Sequence, residues 1–281
     1  MSLLLLLVFL AASPDEPAAV VETRTWRQSI PLDGLHGLTV HNLHGGIAVT
    51  GDGGDGIRMV VSERIEAADR AELERARAEV SLKITRRGER VLVCADGPFR
   101  EPDDCTEWKQ GFHPRSDYRV VYELEIRVPR SLDLTIVTIE GDLSVSDVRG
   151  RLDVRGVQGA VDILGAAGAV RAGTVNSSVR VRFAQNPPAD SSFSTINGEI
   201  DVDFQPGLSA DLSFETMNGE VLTDFEHTRL SPVVQRSESR RQAGTTWRLE
   251  IVPAIRIGRG GPRHHFENIN GDITIRRYGR S

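Results

Sequence analysis

Thr195-Ile196-Asn197-Gly198-Glu199-Ile200-Asp201-Val202-Asp203-Phe204 returns 21 residues later as Thr216-Met217-Asn218-Gly219-Glu220-Val221-Leu222-Thr223-Asp224-Phe225. The same step backwards meets Thr174, Asn176, Val179 and Phe183. Apolar residues alternate with polar ones inside each copy, so each copy reads as short strands with one buried face. A repeat of this length with that alternation predicts stacked coils. The fold class expected is therefore all-β, a right-handed β-helix-like β-solenoid. A compact sandwich without stacked Asn positions is the alternative.

Upstream the step shortens to nine. Gly141, Gly150, Gly159 and Gly168 keep it, and Ser177 holds the next slot. Each is followed by an alternating pair: Leu143 and Val145, Leu152 and Val154, Val161 and Ile163, Val170 and Ala172. Two nine-residue units approximate one coil of 21. Each coil thus holds two or more short strands. Asn268-Ile269-Asn270-Gly271-Asp272-Ile273-Thr274-Ile275 is a further copy, and His44-Gly45-Gly46-Ile47-Ala48-Val49 a weaker one.

The Asn-Gly dipeptides at Asn197, Asn218 and Asn270 suit turns that need positive φ, and hairpin formation alone would explain them. Stacked coils add a second expectation: Asn176, Asn197 and Asn218 form a side-chain amide ladder. Phe183, Phe204 and Phe225 are expected to stack inward as core; an aromatic binding stripe is the alternative.

Aromatics make up 5% of the 281 residues while Gly numbers 27, which favours thin strands and turns over a thick mixed core. A net charge of -6 leaves no basic footprint for nucleic acid or an acidic membrane surface. Leu3 to Ala12 is an apolar run of signal-peptide length, too short to span a bilayer. No later run reaches transmembrane length. Residues 1–19 are read as signal peptide and linker, and 20–281 as one repeat domain with core repeats at 134–228 and a final copy at 266–276. In an exported chain the two cysteines, Cys94 and Cys105, are expected to form one disulfide, worth roughly 2–3 kcal/mol. One surface helix is expected at Ala67 to Glu79, where helix formers run without Gly or Pro and Leu73, Ala76 and Val80 form a narrow apolar stripe.

Several of these stretches resemble the bacterial DUF4097 proteins, an adhesin or β-strand-repeat family. The resemblance rests on Glu125-Ile126-Arg127-Val128-Pro129-Arg130-Ser131-Leu132-Asp133-Leu134, on Thr138-Ile139-Glu140-Gly141-Asp142-Leu143-Ser144-Val145, on the copies at Thr195 and Thr216, and on Asn42-Leu43-His44-Gly45-Gly46-Ile47. It spans roughly residues 35 to 280. It implies an exported β-solenoid and supplies no catalytic residues. The cysteine loop and the polar segment Arg236 to Gly244 depart from it.

No G-x-S-x-G, Walker A or H-E-x-x-H motif occurs. His41 and His44 lie three apart on a strand, which points them to opposite faces and argues against a shared metal. The single loop Gly51-Asp52-Gly53-Gly54-Asp55-Gly56-Ile57 lacks the stacked copies that a calcium repeat needs. Glu199 and Glu220 hold equivalent slots, with Asp201 nearby. Directly stacked, their carboxylates would lie ~5 Å apart, a retaining-glycosidase spacing; solvated turn residues are the other reading. Neither catalytic residue, metal nor cofactor is assigned. The function expected is a non-enzymatic envelope protein, an adhesin or scaffold whose partner is a cell-surface glycan or an envelope protein. A polysaccharide-active enzyme and an extracytoplasmic sensor are the alternatives.

Overall fold

The computed structural model describes residues 19–101, 104–108, 117–231, 233–241 and 244–279, with side chains described outside 102–116 and 232–252. The leader Leu3 to Ala12 lies outside the described residues. Among those residues the chain is all-β with one helix, built on a ten-stranded and an eleven-stranded sheet.

From Asp133 onward the chain alternates between the two sheets. Asp133–Val137, Leu152–Arg155, Val170–Gly173 and Ser191–Asn197 lie side by side in the eleven-stranded sheet. Leu143–Ser146, Val161–Ala166, Val179–Phe183 and Ile200–Phe204 do the same in the ten-stranded sheet. All these neighbours are parallel. Leu134 meets Leu152, which meets Val170, and Leu143 meets Val161, which meets Val179. Two nine-residue units therefore make one layer, and the 21-residue step appears where Val179 meets Ile200. The extra residues fall in the loop around Pro187 and Pro188. Inward positions such as Val154, Val161 and Ile200 are fully buried, each contributing about 1.5–3 kcal/mol of burial.

Three long antiparallel strands, Val20–Pro31, Gly56–Ala67 and Tyr118–Pro129, close one end of the ten-stranded sheet. Tyr118–Pro129 then pairs in parallel with Ile47–Asp52, the weak first copy, whose Ile47 sits beside Leu143. The helix runs from Arg70 to Glu79 and packs on this end. It starts later than the composition suggests. Asp69 caps it by accepting from Glu72 N at 2.9 Å, and Ala67 still belongs to a strand. It buries Leu73 and Ala76.

The other end departs from chain order. Arg263–Asn270 lies between Ser191–Asn197 and Ala210–Asn218, bonded in parallel to both. Ile273–Arg277 lies likewise between Ile200–Phe204 and Val221–Thr223. The last copy of the repeat is thus inserted between two copies that are adjacent in sequence. Asn197 does not stack on Asn218; Asn270 stands between them. Phe225 does not stack on Phe204, because Arg277 pairs with Phe204 and sets its guanidinium 5.1 Å over the Phe225 ring.

The turns joining the sheets explain the recurring polar residues. An amide ladder runs along the outside of this corner. Asn197 Nδ2 donates to Asn176 Oδ1 at 2.9 Å, Asn270 Nδ2 to Asn197 Oδ1 at 2.7 Å, and Asn218 Nδ2 to Asn270 Oδ1 at 2.9 Å. Behind it a buried column staples each turn to a neighbour. Thr174 Oγ1 donates to Gly159 O, Thr195 Oγ1 to Ser177 O, and Asn268 Nδ2 to both Gly198 O and Gly271 O. These bonds satisfy carbonyls that the turns would otherwise bury unpaired. The glycines here need correcting too. Gly271 has φ 129°, but neither Gly198 nor Gly219 lies in the positive-φ region. A Cβ on Gly198 would sit 1.9 Å from Ser177 O in the next layer. Close approach between layers, not turn handedness, requires glycine at that slot.

Candidate binding groove

Outward-facing residues of the eleven-stranded sheet line up across its strands. Asp153, Arg171, Ser192, His265 and Ser213 form one row, each opposite the next. The loop Pro188-Ala189-Asp190 rises on one side of the row. Leu230, Ala254 and Pro262 rise on another. Together they enclose a groove of ≈ 1120 Å³. Both walls come from departures from the regular repeat: the longer loop before Ser191, and the chain leaving and re-entering the sheet around the inserted layer.

Charge in the groove is unevenly satisfied. Asp211 accepts from Arg256 Nε at 2.7 Å and Nη2 at 2.8 Å, and this clamp holds its carboxyl below the usual range. Asp153 is clamped in the same way by Arg155. Asp190 faces Arg263, 3.4 Å away, and accepts from the Arg263 backbone N at 2.8 Å. The exposed side chains of Arg151 and Arg171, by contrast, form no ion pair among the described residues. The carboxylates are neutralised and two guanidiniums are not, so the groove presents net positive charge on a protein of net charge -6.

A serine and a histidine also meet here. Ser213 Oγ lies 3.0 Å from His265 Nδ1, and His265 Nε2 lies 3.7 Å from Glu215 Oε1. Acyl transfer would need a closer carboxylate and free oxyanion donors beside the serine. The N–H that follows Ser213, on Phe214, is donated to Pro253 O at 3.1 Å. The pair reads as a cross-strand polar contact that fixes the His265 ring in the groove floor. No sequence motif announces it, because Ser213 and His265 stand 52 residues apart and meet only through the inserted layer.

The residues singled out from sequence are distributed otherwise. Asn176, Asn197 and Asn218 share the corner ladder with Asn270, away from the groove. Phe183 and Phe204 are buried and stack at 5.0 Å. A second stack, Phe193 on Phe266 at 5.0 Å and Phe266 on Phe214 at 5.5 Å, was not legible in the 21-residue alignment. Glu199 and Glu220 are separated by the layer carrying Asp272. Two interstrand spacings put them about 10 Å apart, beyond the ~5 Å of a retaining pair. His44 faces Glu140 at 3.2 Å, and Glu140 also binds Arg119 at 2.6 Å. Burial lowers the His44 pKa, with Glu140 opposing. In the glycine loop Arg58 occupies the Asp52 carboxylate. Among the described residues no three His, Cys, Asp or Glu side chains gather as a metal site, and no helix is long and apolar enough to cross a membrane. Cys94 is buried on Arg90–Asp96, while the Cys105 side chain lies outside the described residues.

No family model matches the sequence, and no curated protein matches it. Two solved structures are similar to the chain. One is a candidate cell adhesion protein from Clostridium sporogenes ATCC 15579, 9% identical, with 91% of this chain and 100% of that one covered and a TM-score of 0.39. The other is a candidate adhesin from Bacteroides fragilis NCTC 9343, 10% identical, with 90% and 97% covered and a TM-score of 0.36.

Proposed function

We propose that this chain is an exported, non-enzymatic binding module of the β-solenoid, DUF4097-like kind, and that its groove takes an acidic glycan of the cell envelope. The observation that carries the reading is the pair of unmatched guanidiniums, Arg151 and Arg171, in a groove whose carboxylates are already clamped. Guanidinium binds carboxylate or sulfate through paired N–H donors. Ser192, Ser213 and His265 supply hydroxyl and imidazole partners along the same row, as a sugar chain requires. The leader and the repeat pattern from Glu125 onward support an envelope setting.

Calorimetric titration with polygalacturonate and with neutral dextran tests this. The acidic chain should bind and the neutral one should not, with affinity falling as salt rises. Arg171→Ala should weaken binding about tenfold, the size of one lost charge-assisted hydrogen-bond pair. Equal binding of both polymers, or an unaffected Arg171→Ala variant, would refute the acidic-glycan reading. Turnover of either polymer, lost in His265→Ala, would make the protein an enzyme.

A further inference from the structure

In the repeat block before residue 205, spatial order follows chain order; the layer of residues 263–277 breaks it. Its neighbours on both sides carry its own sequence pattern in matched register. Thr195, Asn268 and Thr216 align, as do Asn197, Asn270 and Asn218, and Ile200, Ile273 and Val221. Two consequences follow. The slot between residues 191–204 and 210–225 recognises a strand pair by main-chain bonds on both edges, with the Asn slot and the apolar slot fixing the register. Moreover, the two walls complement each other at the 21-residue step, so the slot can close when empty.

The occupant is tied to the preceding strand, Ala254–Ile257, by Gly258-Arg259-Gly260-Gly261-Pro262. Gly258, Gly260 and Gly261 have φ of 58°, 77° and 155°, a connection that only glycine tolerates and that can re-aim the following strand. One occupant residue fits poorly. His264 is fully buried against Phe204, and neither ring nitrogen has a hydrogen-bond partner. An unsatisfied buried ring makes this layer less secure than those held by aliphatic residues.

We propose that the slot is a strand-pair acceptor that exchanges its occupant with residues 263–277 of a second copy of this chain, giving strand-swapped assemblies. Such exchange of an identical element needs no new contacts, because every bond in the slot is remade with the partner. This stands apart from glycan binding at the groove.

Two single-cysteine variants read it out. Ser194 and Glu267 are opposite each other across the slot. Ser194→Cys in one full-length chain and Glu267→Cys in another should form a disulfide only if the layer of one copy occupies the slot of the other. The two chains are mixed, unfolded, refolded together and oxidised. Mass mapping should then find a 194–267 cross-link between chains, its yield rising about tenfold for a tenfold higher concentration. The double variant, Ser194→Cys with Glu267→Cys, must cross-link within a single chain at low concentration to show that the geometry is competent. An internal cross-link in the double variant without any cross-link between the single variants overturns the proposal. Asp201 and Thr274, opposite each other on the ten-stranded sheet, provide an independent pair for the same experiment.

Discussion

Residues 133–204 and residues 210–277 obey the same local rules and arrive at different orders. In the first region each layer lies on the one made just before it, so a contact spans 18 or 21 residues. In the second the nearest neighbour of Ile200 is Ile273, and that of Ile273 is Val221. The strands, the amide ladder and the inward aromatics look alike in both. A repeat therefore fixes what a layer is without fixing which layer it meets, since every copy offers the same edge to every other.

The sharpest way to break this comparison is to remove one buried ring from each region. Phe183→Ala should cost about 3–5 kcal/mol, as for any large core ring. Phe266→Ala should cost about 1 kcal/mol less than that, because residues 191–204 and 210–225 can close on one another when the inserted layer weakens. Equal costs in denaturant titration would mean that the inserted layer is as inseparable as its neighbours.

Acid sharpens the same contrast. Burial pushes the His264 imidazole down to about 4 from 6.5, and Asp190 only partly opposes this. The unfolded chain therefore takes up the proton first. The stability tied to neutral His264 is complete above about pH 6.5 and is lost progressively as pH falls toward 4. The shift corresponds to about 3 kcal/mol. His264→Phe should flatten that part of the stability profile, leaving the slope due to the carboxylates. A variant that follows the same pH profile as the parent would show that His264 is not the group responsible.

The smallest effect should come from the ladder. Asn270→Ala removes two amide bonds and Asn176→Ala one, at about 0.5–1 kcal/mol per bond on an exposed edge. Thermal melts should rank Asn270→Ala below Asn176→Ala, and the reverse order would place the ladder's weight in the first region.

Much of the layer was legible. Leu143 and Val145 face inward, as do Leu152 and Val154, because alternation on a strand is a local property of the chain. The slot of Asn176, Asn197, Asn218 and Asn270 could be found by alignment for the same reason. The glycine at Gly198 was legible as a residue but not in its cause, since the carbonyl that forbids a Cβ belongs to Ser177. The groove was not legible at all. Arg171, Ser192, His265 and Ser213 come from four strands whose adjacency depends on the inserted layer.

The sequence by itself determined the strand period, the turn chemistry, the buried face and the self-complementary edges, all set by interactions within a few residues or by identity between copies. Only the tertiary structure decided the order of the layers, and with it the separation of Glu199 from Glu220, the burial of His264 and the groove. The physical reason is degeneracy. Copies with the same hydrogen-bonding edge and the same apolar spacing can stack in more than one order. The choice between those orders is made by long-range packing, such as Phe266 between Phe193 and Phe214.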